Sequence, residues 1–229
     1  MPETRPRVWY AAYGSNMHAD RLDRYLAGGR PDGGAREFPG CRDPRGPERS
    51  VPVELDGQVY FATESAVWTG GRAFYDPDAD GTAWGVAHLL TAGQLSDIAA
   101  QEMYREPGAD LDLAEVLATG RCALGPGRYE TLVCPGHLDD IPVIALTAPW
   151  PMPSPDGLRP PSAAYLRQLA AGLHEAGAWR PADVAGYLAS RPGAAGHWTP
   201  EDVAALSVPR APTAPPEPPS RFRPGPRRS

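Results

Sequence analysis

The chain contains no lysine, because all 22 basic residues are arginine. Without an ε-amine, Schiff-base chemistry, a Walker-type phosphate lysine and a Ser-Lys nucleophile are all excluded. Cysteine is scarce: Cys41, Cys122 and Cys134 are odd in number and lack CxxC spacing, which argues against a disulfide framework and a zinc ribbon alike. His18, His88, His137, His174 and His197 never fall at the HxH, HExxH or mixed His and Cys spacings of metal sites, so the sequence predicts no metal. No window approaches the roughly 20 apolar residues that a membrane-spanning helix requires. The first residues have no apolar stretch ahead of a small-residue cleavage site. A cytoplasmic protein without a membrane partner is therefore the expectation. A formal net charge of −6 and a pI near 5.4 argue against a general nucleic-acid surface.

What is present fits one globular domain with attachments: 229 residues, 41% hydrophobic, mean hydropathy −0.41. The 25 glycines, 29 prolines and arginine-only basic set match the product of a GC-rich genome. The organising stretch is VWYAAYGSNM, residues 8–17. Its aromatic and apolar run, 8–13, is a strand that stops at Gly14-Ser15-Asn16, and HADRLDRYLA at 18–27 reads as the helix after it. Such a loop has two uses. It is either a plain strand-to-helix turn in which Ser15 and Asn16 cap the helix, or a cradle whose successive N–H groups face an anion or a polarised carbonyl.

After a leader, 1–7, and this first strand and helix, residues 29–52 are rich in Gly, Pro and Arg and predict an irregular segment bordering a substrate mouth. Strands follow at 58–63, 82–90, 129–134 and 141–147, the last two joined by a Gly- and Asp-containing hairpin loop. Residues 64–81 read as turns, with Asp76, Asp78 and Asp80 an acidic turn that lacks the calcium-loop pattern. Helices are predicted at 92–104 with Thr91 as cap, at 111–119, 162–176, 181–190 and 199–207. From 209 onward the Pro- and Arg-rich composition cannot build a core and predicts disorder.

On the helix after Thr91, the residues Leu95, Ile98, Ala99 and Glu102 share one face, which puts a carboxylate on the core-facing stripe. Two explanations stay open. Glu102 either pairs with a buried arginine or reaches solvent past the last turn, or it lines a cavity with its pKa raised for proton transfer.

Tyr13-Gly14-Ser15-Asn16-Met17, Trp84-Gly85-Val86 and Glu102 near the end of the next helix, in that order, resemble the γ-glutamyl cyclotransferase-like family. PPSAAYLRQLAAGLHEAG, 160–177, is similar to the proline-then-tyrosine helix closing many members. The resemblance implies an α+β fold, a small mixed β-barrel flanked by helices over 8–177, with a helical extension at 178–208 and the tail at 209–229. It implies that Glu102 is general acid and base, that Tyr13, Gly14, Ser15, Asn16 and Met17 bind substrate, and that Tyr104 and Tyr165 form part of the pocket wall. The partner implied is a small γ-glutamyl amine or γ-glutamyl amino acid, which loses 5-oxoproline with no cofactor. Met103-Tyr104-Arg105 departs from the family's usual glycine after the glutamate, which predicts a different rim. Rival readings are another amide-bond or acyl-transfer enzyme with Ser15 or a cysteine as nucleophile, and a non-catalytic small-molecule-binding protein on the same fold. Oligomeric state is not legible in the sequence.

Overall fold

The computed structural model describes residues 6–29, 37–154, 156–206 and 223–224. The expected disorder of the tail falls on residues outside that set, apart from Arg223 and Pro224, which form a short strand; most of the leader and the middle of the 29–52 segment lie outside it too.

The first strand, β1 (Arg7–Ala12), is buried at every position after Arg7, the pattern of a strand covered on both faces. It lies inside a mixed sheet with strand order β2-β5-β1-β8-β7-β6. The strands are β2 (Arg49–Asp56), β5 (Thr82–Thr91), β6 (Arg121–Ala123), β7 (Thr131–Leu138) and β8 (Ile141–Thr147). β5 runs antiparallel to β1, with His88 opposite Tyr10, whereas β8 runs parallel to it, with Ile144 opposite Tyr10. β9 (Arg223–Pro224) pairs with β7. A separate hairpin, β3 (Gln58–Ser65) and β4 (Gly70–Asp76), is tied to β8 through Thr147, whose hydroxyl accepts from Tyr75 N–H at 3.2 Å and donates to Tyr75 O at 2.6 Å. The fold is thus α+β, built on a mixed sheet with flanking helices.

Two predicted stretches differ. β2 occupies the end of the segment expected to be irregular and continues through Asp56. It is an edge strand, where Pro52 costs no ladder bond toward solvent. β4 replaces part of the expected run of turns: Gly70 and Gly71 sit where an added Cβ would meet Pro160 O at 2.9 Å and Arg159 O at 2.1 Å, so the glycines admit a neighbouring backbone. The β7–β8 connection is tighter than expected. β7 runs through Pro135 with a register shift between Val133 and Gly136, and the turn is Asp139-Asp140, both at positive φ (52° and 60°), as a two-residue hairpin demands.

The helices are α1 (Ala19–Ala27), α2 (Ala92–Glu102), α3 (Ala114–Thr119), α4 (Ala163–Ala176), α5 (Pro181–Ser190) and α6 (Pro200–Leu206). Thr91 caps α2 with a full capping box: its hydroxyl accepts from Gln94 N–H at 3.2 Å, and the Gln94 side chain accepts from Thr91 N–H at 3.1 Å. α4 packs at Gly172 onto the turn after β1, where a Cβ would lie 2.7 Å from Met17 Cβ and 2.8 Å from His18 N. The residues beyond 177 join the same core. Val184, Leu188 and Val203 are fully buried, and Trp84 stacks between Trp179 at 4.8 Å and Tyr187 at 4.3 Å. No helix among the described residues is long and apolar enough to cross a membrane.

Candidate active site

The chain leaves β1 at Tyr13 and makes one 3-10 turn, Ser15–Met17, closed by Met17 N–H donating to Gly14 O at 3.1 Å and His18 N–H to Ser15 O at 3.3 Å. Neither Ser15 nor Asn16 caps α1. The N-cap is His18, without a side-chain bond, and Ala19 N–H is satisfied from outside by Glu175 Oε2 at 2.9 Å. Asn16 is turned inward to other work, because the single turn before α1 points its amide away from the helix. It is buried, and its Nδ2 donates to Tyr10 Oη at 3.1 Å and to Glu102 Oε1 at 3.2 Å. Loop and carboxylate therefore meet by a direct hydrogen bond across 86 residues of sequence.

Glu102 is the last residue of α2. Leu95, Ile98 and Ala99 beneath it are fully buried, whereas Glu102 is half-buried and opens on a cavity of about 90 Å³. That is several times the space one ordered water needs. The carboxylate of α2 that pairs with an arginine is Asp97, which receives Arg42 N–H at 2.8 Å and Arg42 Nε at 2.9 Å. Tyr13, Gly14, Ser15, Asn16, Tyr104 and Tyr165 line the same cavity as Glu102. Met17 does not. It is buried beneath α4, so the structure gives it a packing place. Trp84 also lies outside the cavity wall, in the stack described above. In its motif Gly85 matters for assembly, since a Cβ there would lie 2.6 Å from Ala12 O on β1.

A ring of phenols surrounds the carboxylate. Burial first, and then the Glu102 charge, push Tyr10 and Tyr25 well above the ordinary phenol value. Burial pushes Tyr13 and Tyr129 well above it too, and Tyr165 up to about 12. These side chains keep their protons at neutral pH and serve as hydrogen-bond donors. Tyr13 Oη donates to Leu146 O at 2.5 Å and Tyr129 Oη to Ala73 O at 2.9 Å, which ties the loop and β4 to their neighbours. Tyr165 Oη accepts from Ala73 N–H at 3.3 Å and lies 3.3 Å from where a Cβ on Gly14 would stand. The loop glycine therefore makes room for the Tyr165 hydroxyl.

Sequence reasoning missed the phenols Tyr10, Tyr25 and Tyr129 and three further participants. His88 is buried against the loop, its Nε2 3.1 Å from Asn16 O and its Nδ1 2.8 Å from Ser50 Oγ. A carbonyl only accepts, so the neutral ring carries its proton on Nε2 and takes one from Ser50 on Nδ1. Burial holds His88 down at about 4. Arg21 from α1 and Arg72 from β4 also line the cavity. An inward-facing His in an otherwise apolar strand, TAWGVAHLL, was the available signal for His88; Arg21 in a predicted helix and Arg72 in turn-rich sequence carried none.

One acceptor and one pair of donors remain open to a ligand. Asn16 Oδ1 is buried without a hydrogen-bond partner among the described residues, a costly state for an acceptor. No bond from Ser15 or Asn16 N–H is found among the described residues, whereas Met17 N–H is consumed by the turn. Among those residues no group of three His, Cys, Asp or Glu side chains could hold a metal ion. The thiol nearest the loop helix, Cys41, donates to Tyr25 O at 3.3 Å and is pushed by burial up to about 12, far from a reactive thiolate. His88 is engaged on both nitrogens, so Ser15 has no imidazole base from it.

No protein-family profile matches the chain. Over 188 residues it is 32% identical to a protein named histone deacetylase 5 from Arabidopsis thaliana, a match covering 74% of this chain and 28% of that one. The chain thus spans little more than a quarter of that relative's length. Two solved structures superpose on it. One is named gamma-glutamyl cyclotransferase, with a TM-score of 0.48 and 15% identity over 87% of this chain and 98% of the other. The second is an uncharacterized protein, loc79017, from Homo sapiens, with a TM-score of 0.49 and 16% identity over the same shares. In sequence, then, the chain is similar to a part of a larger Arabidopsis thaliana protein.

Proposed function

We propose that the protein cleaves γ-glutamyl amides by intramolecular aminolysis, releasing 5-oxoproline and the amine. The observation that carries this reading is the 3.2 Å bond between Asn16 Nδ2 and Glu102 Oε1 inside the phenol-ringed cavity. It supports a site in which one carboxylate faces a set of preorganised donors and one unsatisfied acceptor. The substrate's α-ammonium gives a proton to Glu102, and Asn16 Oδ1 accepts a second N–H. The freed nitrogen attacks the γ-carbonyl carbon, a C–N bond closes the five-membered ring, and charge moves onto the carbonyl oxygen. Donors at Ser15 N, Asn16 N and the phenol ring stabilise that oxygen, each worth about 3 kcal/mol when well aimed. Collapse breaks the original amide bond as Glu102 gives its proton to the leaving nitrogen, and the second proton of the ring nitrogen then passes through Glu102 to the released amine, which departs as an ammonium. No water is consumed. A cavity that folds the glutamyl chain on itself supplies much of the remaining rate.

The test is Glu102→Gln, nearly isosteric and still able to bond Asn16. The expected outcome is loss of 5-oxoproline release, measured by mass, from a panel of γ-glutamyl amines and amino acids, with an unchanged circular dichroism spectrum. Turnover of a confirmed substrate at the wild-type rate removes Glu102 from the reaction.

A further inference from the structure

Asn16 is held at both ends. Its Nδ2 donates to Tyr10 Oη at 3.1 Å and to Glu102 Oε1 at 3.2 Å, while its backbone O receives Nε2 of His88 at 3.1 Å. Among the described residues that carbonyl has no other donor. The peptide plane after Asn16 is thus fixed at its C=O by His88 and at its N–H by the 3.1 Å bond from Met17 N to Gly14 O. One amide atom of the side chain, Oδ1, is left buried and without a partner among the described residues.

His88 reaches the loop from the middle of a row that crosses three strands. Ser50 on β2 stands opposite His88 on β5, and His88 stands opposite Tyr10 on β1, so the three side chains share one face of the sheet. The Tyr10 and His88 ring centroids are 6.3 Å apart. Ser50 is exposed on the edge strand, and its Oγ lies 2.8 Å from His88 Nδ1. Two positions away on either side of His88 the same face carries Val86 and Leu90, buried opposite Ala12 and Val8. A leucine at 88 would continue that apolar pattern without the cost of burying an imidazole. The row is no path for protons, because it ends on a carbonyl, which accepts a hydrogen bond and has no proton to pass on. Burial also keeps the ring neutral, with its pKa down at about 4. What remains to it is orientation.

We propose that His88 is a positioning residue for cyclisation: by bonding Asn16 O it aims the Asn16 amide, so that Nδ2 braces Glu102 and Oδ1 meets the substrate's α-nitrogen, while Ser50 keeps the imidazole proton on Nε2. This rests on the cyclotransferase reading above and extends the working parts of the site from the cavity wall to the sheet edge at β2.

The test measures kcat and KM for 5-oxoproline release from γ-glutamyl-ethylamine and γ-glutamyl-alanine, with folding checked by near-ultraviolet circular dichroism. His88→Leu is expected to lower kcat about tenfold to a hundredfold and to change KM less, because the ammonium still finds Glu102 while its line of attack is lost. His88→Gln, which keeps a donor for Asn16 O, recovers part of that loss. In an Asn16→Ala background His88→Leu costs less than about threefold, the non-additivity of residues that act through one another. Ser50→Ala, at an exposed position, lowers kcat about threefold, the weight of one neutral hydrogen bond, and Ser50→Thr recovers most of it. Nitrogen-15 spectra of the wild type at pH 7 show His88 protonated on Nε2 and bare on Nδ1. A wild-type kcat in folded His88→Leu, an equal loss with and without the Asn16 side chain, or a proton found on Nδ1 overturns the positioning role and leaves the reaction standing. Absence of 5-oxoproline from every γ-glutamyl substrate offered to the wild type overturns the reaction and this role with it.

Discussion

His88 offers the most quantitative prediction. The fold holds this imidazole neutral at about 4, against 6.5 for an exposed one, because burial penalises its charge more than Asn16 O favours it. A group whose folded pKa is depressed binds its proton more readily in the unfolded chain. Its contribution is therefore complete above pH 6.5 and disappears as pH falls toward 4. The difference of about 2.5 units amounts to about 3 kcal/mol at the acid end, with about 2 kcal/mol already lost at pH 5. Urea unfolding followed by tryptophan fluorescence reads this directly. With a slope of about 2 kcal/mol per molar, the wild-type midpoint falls by about 1 M between pH 7.5 and pH 5 from this residue alone. Carboxylates and half-buried His174, also lowered by burial, contribute to the total, so the comparison is with His88→Gln. That variant keeps a donor for Asn16 O and has nothing to titrate. Its midpoint is expected to fall by about 1 M less than the wild type over the same interval. Parallel falls in the two proteins would refute the assignment of His88 as a buried neutral donor.

Three further perturbations act on the supports of the site. Gly172→Ala forces a Cβ into Met17 and His18 N, and is expected to cost about 1–3 kcal/mol in chemical denaturation and to lower kcat/KM about tenfold or more by shifting the loop. Thr91→Ala removes the cap of the helix that carries Glu102 and is expected to cost about 1 kcal/mol in the same assay. Tyr104 holds φ at 59°, a left-handed conformation disfavoured for a side-chain-bearing residue. Tyr104→Gly is expected to raise stability by about 1 kcal/mol, seen as a Tm higher by about 2–4 °C, while weakening substrate binding by removing an aromatic from the rim.

Helix positions and apolar strands were legible because their signals are local. Thr91 with Gln94 announces the start of α2, Ser162 the start of α4, and the stripe of Leu95, Ile98 and Ala99 fixes which way Glu102 faces. β2 was illegible because Arg49, Ser50, Pro52, Glu54 and Asp56 look like loop residues; only Val53 and Leu55 are inward and buried. Gly70 and Gly71 hid β4 for a long-range reason, the approach of residues 159–162. The same distinction holds within the site. Asn16 and Glu102 could be singled out from the loop and the stripe, but their bond depends on β1, β5 and α2 packing as they do. Arg21 and Arg72 come to one cavity from α1 and β4, and spacing carries no trace of that.

The parallel pairing of β1 with β8 has a consequence for how the molecule assembles. Residues 7–17 are translated well before residues 141–147, yet one side of β1 acquires its neighbour only when residues 141–147 arrive, and the floor of its turn only when α4 supplies Gly172. Such long sequence separation makes closure of the sheet slow relative to local helix formation. Until then β1 presents an open apolar edge able to pair with another chain. The loop is made before the wall that encloses it, so a chain cut short before residue 141 keeps the loop sequence and lacks the wall that shapes it.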